Sequence, residues 1–254
     1  MVRPVDRSEA LDGLRTSDIP RLVLWPEDAN GPSDRAVGSA AVLSGSFDPL
    51  TVAHEAVARA AAGAADAVVL LYSPRTLPKE PGTAGPLLSE SERLDVLERF
   101  CASRPKVALG LCSHGLLVDQ VRAAVGRFPG AELTVVLGSD KLIQLFEPHW
   151  YEDRDEALGA LFGAAAIRYA LRRGDGEAVA ALLADAAGAG WTDRIDRLDV
   201  DPVVAAVAAR DVRERARSGA PVDPLVPPEA RDGILRAILR ERLSGIADRP
   251  EPPS

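Results

Sequence analysis

A doubly wound α/β fold, a parallel sheet with helices on both faces and a helical C-terminal segment, is predicted by three observations. Short apolar runs alternate with amphipathic stretches from about residue 40 to residue 172, the rhythm of strand, helix and parallel strand. The runs are apolar throughout instead of alternating with polar residues, as strands covered on both faces must be. At 254 residues and 46% hydrophobic content, the chain can bury one such core and needs no second domain.

The elements follow in order. Residues 1–37 read as an N-terminal extension or edge strand, with one strand-like run, "RLVLW" at 21–25, before the turn-rich "PEDANGPSD". The main domain is expected over 38–245: "AAVLS", a helix from about Val52, "AVVLLYS" at 67–73, a helix from about Ser89, "KVALGL" at 106–111, a helix from about Leu116, and "ELTVVLG" at 132–138. "AAAIRYALR" at 164–172 reads as a further strand, followed by an Ala-rich helix near 176–187, the short "RIDRLDV", and two helices around 202–217 and 228–243. The Pro-rich end, 246–254, reads as a disordered tail.

Composition excludes several functions. A formal net charge of −8 argues against a surface for nucleic acid or an anionic membrane spread over the whole molecule, so any polyanion site must be local. Cys101 and Cys112 lack CxxC spacing and no apolar leader precedes them, which indicates neither a disulfide framework nor a zinc site. No apolar run reaches the length of a bilayer span. The chain is expected to be cytoplasmic. His114 and His149 share no short spacing with His54, so no histidine metal site is expected. The acidic run "YEDRDE" reads as a solvated helix start.

The stretch "LSGSFDPLTVAHEAVARAA" at 43–61 is the end of one strand turning into a helix, where ligands bind in doubly wound sheets. Gly45 and Ser46 let the backbone approach a ligand, Pro49 fixes the turn, and His54 falls in the first helical turn, whose N–H groups and dipole favour a phosphate. A strand-to-helix loop whose histidine only caps or packs accounts for the same residues.

The order of those residues resembles the phosphate-binding signature of the nucleotidyltransferase superfamily, G-x-F-x-P-x-[HT]-x-x-H, usually closing as HxGH or TxGH. Gly45, Phe47, Pro49, Thr51 and His54 match it, and Ala53 stands where Gly is usual. "VVLGSDKLIQLFEPHW" is similar to a segment of the nicotinate and nicotinamide mononucleotide adenylyltransferases. The resemblance implies that Gly138 and Asp140 hold the ATP ribose and that Trp150 stacks on the pyridine ring; a core aromatic is the other reading of Trp150. "SPRTLPK" and "SESERLDVL" look like that family's basic loop and following helix, making Lys79 and Arg93 substrate contacts; Arg75, Lys79 and Arg93 otherwise read as solvated surface charges. "VRERARSGAPVDPLVPPEARDGIL" resembles its closing segment. The matches run from residue 41 to about 240 and imply a Rossmann-like fold.

One signature departs from the family. I-S-S-T-x-x-R aligns on "VAARDVR", 207–213: Arg213 is kept, but Ala208, Ala209 and Arg210 replace the hydroxyl residues. Each lost hydroxyl contact to a charged phosphate costs on the order of 1.5–3 kcal/mol if nothing replaces it, and Arg210 is the candidate replacement. The implied reaction transfers AMP from ATP to nicotinate or nicotinamide mononucleotide, with Mg²⁺ accompanying ATP. His54, Thr51, Lys79 and Arg213 would be catalytic, and Gly45, Ser46, Phe47, His54, Gly138, Asp140, Arg210 and Arg213 would bind ATP. The implied partners are ATP and a pyridine mononucleotide, without nucleic acid or membrane, and self-association into a homo-oligomer is left open. A nucleotidyltransferase of other specificity, a phosphate-bond hydrolase, and a nucleotide-binding protein that has lost catalysis are the alternatives.

Overall fold

A computed structural model describes residues 6–26, 37–75 and 85–247 of the chain. The turn-rich segment at 27–36, the basic loop at 76–80 and the Pro-rich end at 248–254 lie outside the described residues.

Helix α1 (Arg7–Arg15) precedes strand β1 (Leu22–Trp25), and then strands and helices alternate: β2 (Ser39–Ser44), α2 (Val52–Ala62), β3 (Ala67–Tyr72), α3 (Glu90–Ala102), β4 (Val107–Cys112), α4 (Leu117–Arg127) and β5 (Glu132–Gly138). Two helices, α5 (Ser139–Leu145) and α6 (Arg154–Ala164), lead to β6 (Ala165–Ala170), and α7 (Gly176–Gly188) leads to the short β7 (Ile195–Arg197). Helices α8 (Pro202–Ala205), α9 (Ala209–Ser218) and α10 (Pro228–Ala247) close the described chain.

Among the described residues the strands form one sheet in the order β1-β4-β3-β2-β5-β6-β7. Only β1 runs antiparallel, pairing Leu22 with Cys112 on β4; the other pairings are parallel. Burial explains the apolar runs. Along β3, Val68, Leu70 and Tyr72 face one apolar layer and Val69 and Leu71 the other, so period-two alternation sorts residues between two cores. The first layer packs under α1, α2, α3, α9 and α10, through residues such as Leu14, Val57, Leu97, Val212 and Ile234. The second packs under α4 to α7, through Val121, Leu142, Leu161 and Leu182.

Helix starts follow local chemistry. Ser89 caps α3 by accepting from the Glu92 amide, while the Glu92 carboxylate accepts from the Ser89 amide, a reciprocal box written in "SESE". Asp153 caps α6 in the same acidic run that reads as a solvated helix start.

Two differences from the sequence reading have physical causes. The N-terminal extension contains α1, which buries Leu11 and Leu14 against the first layer and is tied to α3 by Arg7 bonds to Asp95 (2.7 Å) and Glu98 (2.6 Å). The expected helix over 202–217 is two, α8 and α9, because the backbone leaves helical geometry at Ala208, with φ −93° and ψ 144°. No helix among the described residues is long and apolar enough to cross a membrane.

Candidate active site

The crevice of the sheet lies where β2 and β5 adjoin: the chain leaves β2 into α2 on one face and β5 into α5 on the other. Diverging crossovers open a gap at the carboxyl ends of these two strands. The motif loop leaves β2 on its rim.

After Ser44 the Gly45 amide makes a last sheet-like bond to Leu71 O at 3.2 Å. A Cβ on Gly45 would stand 3.0 Å from the Phe47 ring and press on it. Phe47 itself adopts φ 46°, a left-handed conformation costing a bulky residue on the order of 1–3 kcal/mol. Burial holds it there: Phe47 and Leu50 are fully enclosed. Asp48, 0% exposed, accepts from the Leu87 amide (3.2 Å) and the Leu88 amide (2.9 Å).

Thr51 and His54 form the N-terminal box of α2. Thr51 Oγ1 accepts from the His54 amide at 3.4 Å, and His54 Nδ1 accepts from the Thr51 amide at 3.0 Å. An amide can only donate, so Nδ1 is unprotonated and Nε2 carries the ring hydrogen. Burial, followed by the positive charge of Arg172, lowers the His54 pKa to about 4. Near neutral pH His54 is therefore an uncharged N–H donor. Its ring meets Phe47 edge-on at 5.3 Å. Capping consumes Nδ1 and leaves the Nε2 hydrogen outside the cap.

Across the crevice, β5 ends at Gly138. A Cβ there would sit 2.6 Å from Asp140 Oδ1 and 3.3 Å from Arg172 Nε, so glycine makes room for the ion pair between Arg172 Nη1 and Asp140 Oδ2 at 3.1 Å. Buried Ser139 donates to Asp175 Oδ2 at 2.6 Å and accepts the Arg172 amide at 2.9 Å, fixing the end of β6 to the start of α5. The sequence reading makes Arg172 the end of a strand and not a site residue, whereas β6 ends at Ala170. The signal available was "ALRRGD" directly after a strand.

The remaining sequence candidates separate. Ser46 is exposed, and Arg93 reaches the loop by donating to Ser46 O at 3.3 Å, its guanidinium lying over the Tyr72 ring. Arg75 is spent on the end of α1, donating to Arg15 O at 2.8 Å and Ser17 O at 2.9 Å. Trp150 is only partly buried and stands outside both apolar layers; its Nε1 donates to Glu147 Oε2 at 3.1 Å and its ring leans on His149. Lys79 lies outside the described residues.

The altered signature occupies the start of α9. Arg213, with its side chain 11% exposed, donates to Asp48 O at 2.5 Å, and its Nη1 lies 3.8 Å from Asp48 Oδ2. It thus grips the motif loop from behind. Arg210, 73% exposed, pairs with its neighbour Asp211 at 3.5 Å. Ala208 is the N-cap of α9 and makes no side-chain cap bond. Ala208→Ser is expected to raise unfolding stability by about 1 kcal/mol, measured by urea denaturation. Arg210→Ala is expected to leave ATP affinity within about twofold of wild type, as for an exposed ion pair; titration calorimetry checks this.

Residues 42–156 match the cytidylyltransferase-like family. A curated relative from Mycoplasma pneumoniae, named "Probable nicotinate-nucleotide adenylyltransferase/Ap4A hydrolase", is 32% identical over 114 residues, 42% of this chain. The aligned part spans about a third (32%) of that relative's length. Among solved structures, a Plasmodium falciparum nicotinic acid mononucleotide adenylyltransferase complexed with APC shares the fold, with a TM-score of 0.55 at 13% identity, over 80% of this chain and 98% of that one.

Proposed function

We propose that the protein is an adenylyltransferase moving AMP from ATP to nicotinate or nicotinamide mononucleotide, releasing pyrophosphate, and that it works in the cytoplasm as a domain spanning 38–245. The observation that carries this reading is the "GSFDPLTVAH" loop, folded at the β2/β5 crevice with His54 held as a neutral N–H donor.

The chemistry asks little of acids and bases. The acceptor phosphate is ionised near neutral pH, and one of its oxygens attacks the α-phosphorus of ATP as the bond to the bridging oxygen breaks and pyrophosphate departs. Repulsion between anions is the obstacle, so catalysis consists of in-line positioning and stabilisation of moving negative charge. His54 donates a hydrogen bond, the N-terminus of α2 favours phosphate, and Arg93 and Lys79 supply charge. Arg213 keeps the loop in place through Asp48. Among the described residues no group of three or more His, Cys, Asp or Glu side chains could hold a metal, and Asp140 is engaged by Arg172. In this reading Mg²⁺ enters as part of the substrate, MgATP.

A second reading, a nucleotide-binding protein without turnover, is favoured by the uncapped Ala208 and the solvent-facing Arg210. Pyrophosphate release from MgATP, assayed alone and with each mononucleotide, separates the two. Turnover with one acceptor is expected. Nucleotide binding without pyrophosphate release under any condition would support the second. With the correct acceptor, Trp150 emission is expected to be quenched, and Trp150→Ala to weaken acceptor binding by about 1–3 kcal/mol, the scale of base stacking on an aromatic ring. An unchanged emission at saturation would remove Trp150 from the site.

A further inference from the structure

The cations assigned to ATP from sequence are engaged elsewhere: Arg213 on Asp48 and Arg210 on Asp211 in solvent. Arg172 is differently placed. Its backbone is pinned beside Gly138 and Asp140 through the buried Ser139 hydroxyl, its guanidinium meets the Asp140 carboxylate, and its charge is felt at His54 on the other side of the crevice. Arg172 therefore holds the residue expected to meet the ribose, at the carboxyl end of β5.

We propose that Arg172 is the phosphate-binding cation of the nucleotide site, held on Asp140 until a polyphosphate takes the carboxylate's place. The proposal rests on the reading of the crevice as an ATP site. A partly solvated ion pair contributes only about 0–1 kcal/mol, so it is readily exchanged, and a phosphate offers the guanidinium a more highly charged, bidentate partner. Release of Asp140 frees its oxygens to accept ribose hydroxyls. One exchange then couples recognition of sugar and phosphate. It also supplies hydrogen-bond donors in place of the hydroxyls that the altered "VAARDVR" segment lacks.

The test is titration calorimetry of the full chain with ATP and with inorganic tripolyphosphate, for wild type, Arg172→Ala and Asp140→Asn, with circular dichroism to verify folding. Arg172→Ala is expected to weaken both ligands by about ten- to hundredfold, and Asp140→Asn to tighten tripolyphosphate severalfold by removing the competing carboxylate. The His54 pKa, followed by NMR, is expected to rise in Arg172→Ala. A purely structural ion pair predicts that both variants weaken tripolyphosphate; that result, or unchanged binding in Arg172→Ala, would overturn the proposal. Absence of tripolyphosphate and ATP binding in wild type would overturn it together with the ATP reading. Polyphosphate binding that obeys these signs, without transfer to any pyridine mononucleotide, would uphold Arg172 and sink the adenylyltransferase reading.

Discussion

His54→Ala is expected to abolish adenylyl transfer while leaving the protein folded. Loss of one preorganised donor to developing charge costs about 10²–10³-fold in turnover, whereas loss of one partner in a helix capping box costs about 1 kcal/mol of stability. Thr51 remains to cap α2 through its own hydroxyl, and Ala53, Val57 and Ala61 still bury the helix against the sheet. Pyrophosphate release and thermal unfolding together measure both quantities. Comparable turnover in variant and wild type would remove the central claim about the loop.

The same residue sets a pH dependence whose sign follows from its environment. In the folded protein His54 titrates at about 4, below its ordinary 6.5, so the unfolded chain binds more protons across that window. Stability from this group is complete above about pH 6.5 and is lost as pH falls toward 4. The physical event is protonation of Nδ1, which breaks its bond from the Thr51 amide. His54→Ala should lack this contribution, so its unfolding midpoint should fall less than that of wild type between pH 6.5 and 4. Parallel declines in the two proteins would show that Nδ1 is not the group titrating.

Arg213→Ala is expected to lower both stability and activity, for a reason different from a lost ATP contact. Asp48 is fully buried, and the variant leaves its carboxylate and its carbonyl without the guanidinium. Breaking a buried pair on one side costs about 3 kcal/mol, here moderated by the Leu87 and Leu88 amides that still hold Asp48. The loop carrying Phe47 at positive φ would then lose part of what enforces its shape. Urea denaturation should show a lower midpoint, and turnover should fall even where the variant is folded. Arg213→Lys keeps the charge but not the fork, and should recover less than half of the loss in stability. An unchanged midpoint in Arg213→Ala would mean that the grip on Asp48 carries no load.

What was legible in the sequence shares one property: it depends on residues near each other in the chain. The strands follow from apolar runs, α2 from "TVAH" and α3 from "SESE", because a cap and its partner are three residues apart. The motif loop is likewise local, and its residues fold together at the strand end. The sequence alone determined the parallel α/β architecture and the end of the sheet where a ligand would sit. Tertiary structure decided which charges remain at that end. Arg213 finds Asp48 across 165 positions, and Arg172 faces Asp140 from the turn that follows β6. A guanidinium reaches several ångströms and bonds whatever carboxylate the packing brings near, so no spacing along the chain records its partner. The same holds for α1, whose Arg7 meets Asp95 and Glu98 only after the sheet has formed. Periodicity and caps are written in neighbours; ion pairs are settled by packing between segments far apart in sequence.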